Sequence, residues 1–297
     1  MHHQHLITQT LLLCYLLIIA VQAKSIKKTW SFKNWNKYKD SSVGQGSNWS
    51  RPWGISEENG WLWTWNGADS VKHVIKKDPS RRSSDMTLRV EYPAHSRNPD
   101  SSPVGGLGFK AKPIKIDTNV KKVELSYSVY FPKQFNFVKG GKLPGLYGGH
   151  GDCTGGEDDK TCFTTRLMWR KKGEGEIYAY LPYSSEPASI CGSDLNVCNP
   201  EYGYSLGRGS FRFKAGKWTH LRQVLIMNTP GKQDGQLVLY ANGKKVFTQQ
   251  KMIFRREPAG RVVGIMFHTF FGGSDDSWET PRKQYSYYKD FALKTTY

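Results

Sequence analysis

Short runs rich in β-branched and aromatic residues recur along this chain, and no long window carries the apolar spacing of a helix. The clearest runs are Thr87 to Tyr92, Lys122 to Phe131, Thr164 to Trp169, Gly175 to Leu181, Lys217 to Met227, Gln236 to Tyr240, Lys244 to Thr248 and Arg261 to Phe271. Between two of them stands Asn242-Gly243, a dipeptide that suits the positive backbone angles of a tight hairpin. Lys171 to Gly175 is a second short, glycine-containing connection that favours an antiparallel pair. The expected architecture is all-β, with two antiparallel sheets packed face to face.

The N-terminus reads as an export signal. An apolar run from Leu11 to Ala20 ends in Val21-Gln22-Ala23, a small-x-small cleavage pattern, and its core is too short to span a bilayer. Residues 1–23 are therefore expected to be removed and residues 24–297 to form one secreted domain, with no membrane contact after cleavage. Four cysteines remain: Cys153, Cys162, Cys191 and Cys198. Close spacing favours the pairs Cys153–Cys162 and Cys191–Cys198 among three possible connectivities, and a zinc site is disfavoured by the missing C-x2-C unit. Asn48-Trp49-Ser50 is a glycosylation sequon in such a setting.

Charge narrows the partner. With 43 Lys and Arg against 25 Asp and Glu, the net charge is +18, and residues 1–23 contribute none of it. Such a surface steers polyanions. Nucleic acid fits the balance, but export argues against it, and an acidic polysaccharide fits both observations.

Within the block from Lys142 to Tyr180, alternate residues on a strand share a face. Thr164 with Arg166, and Tyr178 with Tyr180, are therefore paired, and an antiparallel hairpin makes Arg166 and Tyr178 cross-strand neighbours. Lys142 precedes Pro144-Gly145, which reads as a turn. The segment Gly141 to Gly149, the Thr-x-Arg at Thr164 to Arg166, the Tyr-x-Tyr at Tyr178 to Tyr180, and Phe270-Phe271-Gly272-Gly273-Ser274 together resemble polysaccharide lyase family 14. The resemblance implies a β-jelly roll and metal-independent β-elimination of β-1,4-linked polyuronates such as alginate or glucuronan; no cofactor and a monomeric state are expected. It also places the family's catalytic lysine, arginine and two tyrosines on Lys142, Arg166, Tyr178 and Tyr180. Thr164 stands where the family commonly has serine, and His268 where it often has a small residue; both are expected to contact substrate.

The chemistry suits these residue types. Removing the C5 proton of a uronate builds charge beside an existing carboxylate, so the barrier falls when preorganised donors neutralise that carboxylate. Arg166 supplies a planar fork and Lys142 a point charge. Tyr180 is expected as the base and Tyr178 as its partner, with nearby cations expected to lower the phenol pKa. His150 is a weaker candidate base, following a glycine turn. Glu174 and Glu176 resemble a hydrolase pair only superficially, since they flank a hairpin connection rather than face each other across a bond. Trp49, Trp53, Trp61, Trp63 and Trp65 fit sandwich packing better than sugar stacking. A lectin-like jelly roll and a jelly-roll glycosidase are the rival readings.

Overall fold

The computed structural model describes residues 27–63, 74–149, 162–182, 188–199 and 203–297. Residues 1–23, expected above to be an export signal, Trp65, His150 and Cys153 lie outside them. In chain order the strands are β1 (Lys27–Phe32), β2 (Trp61–Trp63), β3 (Val74–Lys77), β4 (Met86–Tyr92), β5 (Leu107–Ala111), β6 (Lys122–Tyr130), β7 (Gly140–Gly149) and β8 (Cys162–Arg170). They continue with β9 (Glu174–Tyr180), β10 (Val197–Asn199), β11 (Gly203–Arg212), β12 (Trp218–Ile226), β13 (Gly235–Ala241), β14 (Lys244–Met252), β15 (Val262–Phe271) and β16 (Gln284–Thr296).

These strands form two antiparallel sheets packed as a sandwich. The first runs β14-β13-β12-β6-β16-β4-β3, with β1 also paired to β16; the second runs β10-β11-β9-β8-β7-β15-β5-β2. Alternation drives the stacking. In β8, Phe163, Leu167 and Trp169 enter the inter-sheet core, and in β12 Leu221 and Leu225 meet it from the other side. Trp35, Trp49 and Trp53 are fully buried there, each ring meeting the others edge-on or stacked at 5.0 to 5.8 Å. Each large apolar side chain so buried contributes on the order of 2 kcal/mol.

Two polar bridges cross the core and fix the second sheet against the first. Thr165 donates to Gln223 at 2.8 Å. Thr269 joins a hydroxyl cluster with Tyr92 and Tyr288, at 2.5 and 2.8 Å. Both threonines sit beside residues that face the opposite way, Arg166 and His268, so these bonds pin the strands that carry them.

The two hairpins read from sequence are present. Asn242 and Gly243 have φ of 51° and 80°, and β8 and β9 pair across Lys171–Gly173, with Arg166 opposite Tyr178. The Pro144-Gly145 turn is not: both residues lie inside β7. Proline lacks the N–H a ladder needs, so the strand bulges, and its register against β8 shifts between Leu143 and Gly145. Leu143 and Leu146, three apart, consequently both face the core. Pro144 is held in place by Tyr127, whose hydroxyl donates to its carbonyl at 2.9 Å. The Cys191–Cys198 disulfide is formed. Cys162 is also disulfide-bonded, and the expected Cys153 end of that pair lies outside the described residues. Asn48 is exposed in a turn.

Candidate active site

Four adjacent strands of the second sheet, β15-β7-β8-β9, bring His268, Lys142, Thr164 with Arg166, and Tyr178 with Tyr180 onto one face. Gly145 makes the close approach possible, because a Cβ there would stand 2.3 Å from the Arg166 Cα. The face forms the floor of a cleft of about 940 Å³ lined by all of these residues except Thr164. Thr164, fully buried, pairs in register with Tyr180 on one side and Tyr147 on the other.

Arg166 is the centre of the arrangement. It is 3% exposed, its Nη1 lies 3.1 Å from His268 Nδ1, and its guanidinium stands 5.2 Å from the centroid of the Tyr180 ring. Guanidinium nitrogens only donate, so His268 Nδ1 accepts and the imidazole proton sits on Nε2. Burial, with Arg166 and Lys110 nearby, holds His268 well below the usual histidine range and keeps it neutral. Burial works against the Arg166 charge, and the two tyrosines work for it. Among the described residues, Arg166 Nε, His268 Nε2 and Thr164 Oγ1 are buried and have no hydrogen-bond partner. An incoming carboxylate or hydroxyl can satisfy such groups, which otherwise carry a desolvation cost.

Lys142 is also buried. Its Nζ stands 3.2 Å from the Tyr178 ring centroid and 3.4 Å from Met168 Sδ. Burial pushes its pKa well below the ordinary lysine value, and Arg166 and Arg170 push the same way against Glu176. Tyr178 moves opposite to the sequence expectation: burial raises its pKa, with Tyr180 and Glu176 adding, and this outweighs Arg170 and Arg166. The two tyrosine rings meet edge-on at 5.6 Å.

Sequence reasoning missed several cleft residues. Met168 and Arg170 continue the alternate-residue face of Thr164 and Arg166, so extending the same rule would have found them. Trp63 separates from the other early tryptophans: Trp49 and Trp53 are core, whereas Trp63 lines the cleft edge-on to His268 at 4.7 Å. Glu174 and Glu176 are both held in ion pairs, to Arg212 at 2.7 Å and to Arg170 at 2.7 Å. Among the described residues no group of three or more His, Cys, Asp or Glu is placed to hold a metal.

The polysaccharide lyase 14 family profile matches residues 80–291, spanning β7, β8, β9 and β15. The chain belongs to polysaccharide lyase family 14. Among solved structures, the family 14 alginate lyase from Aplysia kurodai is 36% identical, with 89% of this chain and 97% of that chain covered and a TM-score of 0.69. The alginate lyase vAL-1 from Chlorella virus is 27% identical over 78% of this chain and 93% of its own, with a TM-score of 0.64. Alginate lyase Aly36B, at 24% identity, covers 89% of this chain and 96% of its own and shares the fold with a TM-score of 0.64. No curated protein sequence matches the chain. As a family 14 lyase, the protein is an enzyme acting on polysaccharide.

Proposed function

We propose that this family 14 lyase is a secreted enzyme that cleaves β-1,4-linked polyuronates by β-elimination, with alginate the first substrate to test and glucuronan the second. The observation that carries the reading is Arg166: a buried guanidinium, oriented by His268 and flanked by Tyr178 and Tyr180, with no partner for Nε among the described residues. The Aplysia kurodai and Chlorella virus enzymes, each more than 25% identical to this chain, are both named alginate lyases.

In this mechanism Arg166 and the His268 Nε2–H neutralise the substrate carboxylate. Tyr180 takes the C5 proton, the C5–H electrons form the C4=C5 double bond, the C4–O4 bond breaks, and O4 receives a proton. Tyr178, kept protonated by burial, is suited to deliver that proton. The pKa of Lys142 favours a second assignment of the base. Burial holds its amine well below the ordinary lysine pKa, which favours the neutral, proton-accepting form relative to a solvated lysine, and Lys142 stands against the Tyr178 ring.

Mass spectrometry of products tests the reaction class: eliminated fragments are lighter by one water than hydrolysed ones. Hydrolysed fragments alone would overturn the proposal. Comparing Tyr180→Phe with Lys142→Arg separates the two bases. If Tyr180 is the base, the phenylalanine variant loses turnover by about 10²-fold or more, and an arginine at position 142 retains part of it.

A further inference from the structure

Beside the Arg166 centre the cleft wall holds a second cationic cluster. Glu176 is fully buried, accepts three hydrogen bonds and makes one further ion-pair contact. Arg170 gives Nε at 2.8 Å and Nη2 at 2.7 Å, Arg208 gives Nε at 2.9 Å, and Ser205 gives its hydroxyl at 2.5 Å. Two guanidiniums against one carboxylate leave one positive charge in excess within the cluster. Arg170 stands 5.5 Å from the Tyr178 ring centroid and 5.9 Å from that of Trp278. The Arg208 side chain stays one-third exposed and lines the cleft.

Arg208 is placed there by backbone design. Gly207 has φ of 68° and Gly209 of 76°, and the β11–β9 register breaks between Leu206 and Phe211. The bulge is held from outside: Gly207 N donates to Asn196 Oδ1 at 3.0 Å, and Arg208 N donates to the Leu195 carbonyl at 2.8 Å. Leu195 and Asn196 lie within the loop closed by Cys191–Cys198. The disulfide loop, the bulge and Glu176 thus converge on the orientation of two arginines.

We propose that Arg170 and Arg208, oriented by Glu176, form a second carboxylate-binding site that takes a neighbouring uronate of the chain being cleaved at Arg166; this rests on the polyuronate reading above. Arg170 is four residues beyond Arg166 on β8, roughly 13 Å along the strand, so one carboxylate does not serve both. Glu176 is a positioning residue and does not touch substrate. The second site recognises anionic sugars, fixes the register of the polymer, and makes affinity depend on chain length.

The test compares wild type, Arg208→Gln and Arg208→Lys on polymannuronate and on a size series of its oligosaccharides. Loss of a charge-assisted fork is expected to raise KM for the polymer about 10-fold or more, with kcat within about threefold, and Arg208→Lys falling between. The shortest cleaved oligosaccharide is expected to show no difference between wild type and variant. Calorimetric titration in a Tyr180→Phe background, where turnover is slowed, should show the affinity gain with chain length flattened by Arg208→Gln. Equal polymer KM in wild type and Arg208→Gln overturns the second site and leaves the lyase reading intact, as does a KM rise that is the same for every chain length. A wild type that neither binds nor cleaves any polyuronate overturns both.

Discussion

On the outer face of the sheet containing β12, charged side chains are partnered and reach solvent: Arg222 bonds Glu124 at 2.9 Å and covers the Tyr240 ring at 3.7 Å, while Lys122 also meets Glu124, at 2.8 Å. On the outer face of the other sheet Lys142, Arg166 and His268 are buried, and among the described residues neither Lys142 nor Arg166 pairs with a carboxylate. Exposed pairs such as Arg222–Glu124 contribute about 0 to 1 kcal/mol. Unpaired buried cations cost several kcal/mol each. The same sandwich therefore tolerates charge cheaply on one face and at considerable expense on the other, where the expense produces donors already aimed at an anion.

The sharpest way to break this comparison is a matched pair of arginine variants. Arg166→Met is expected to lower kcat/KM by at least about 10² to 10³-fold, the scale of losing a preorganised donor. Arg222→Met should leave it unchanged. Equal effects would erase the distinction between the faces. Next in size, Tyr180→Phe should lower kcat by about 10²-fold while polymer binding persists, with Tyr178→Phe run beside it. Near-normal turnover in both would remove the tyrosines from the chemistry.

Stability should move in the opposite direction from activity. Because the folded pKa of Lys142 is depressed, the unfolded chain binds more protons between the folded and unfolded values, and stability rises with pH through that window. Lys142→Met should remove the penalty, raising stability at neutral pH by roughly 1 kcal/mol or more while turnover is lost. A lower melting temperature than wild type would contradict this. His268 has the same sign at lower pH: its folded pKa lies well below 6.5, so its contribution is lost as pH falls below that value. His268→Gln should make the acid limb of a melting-temperature profile shallower. The smallest expected effect is on the partnered face, where Arg222→Ala should cost no more than about 1 kcal/mol by denaturant unfolding.

The difference between the faces also explains what could be read from the chain. Thr164, Arg166, Tyr178 and Tyr180 were legible because the period-two rule and a short hairpin are local, and Arg166 does sit opposite Tyr178. Lys142 was legible by resemblance, but its setting was not: Gly140 to Gly149 is poor in strand formers, and a proline inside it suggested a turn where the strand bulges. β16, thirteen residues long, was missed although it pairs with β1, β4 and β6. Arg208 was invisible because a bulge, not a spacing, aims it. The direction of the Tyr178 shift was misread because cationic neighbours can be inferred from sequence, whereas the burial that outweighs them cannot.

The central claim is that the buried cationic face performs elimination on a polyuronate. Its most direct test is the ultraviolet absorbance of the unsaturated uronate product, followed continuously with purified protein on polymannuronate, polyguluronate and polyglucuronate, with Arg166→Met as control. The account predicts rising absorbance with at least one of the three, at a rate at least about 10²-fold lower with the variant. Polymer shortening without absorbance, or binding without shortening, would contradict it.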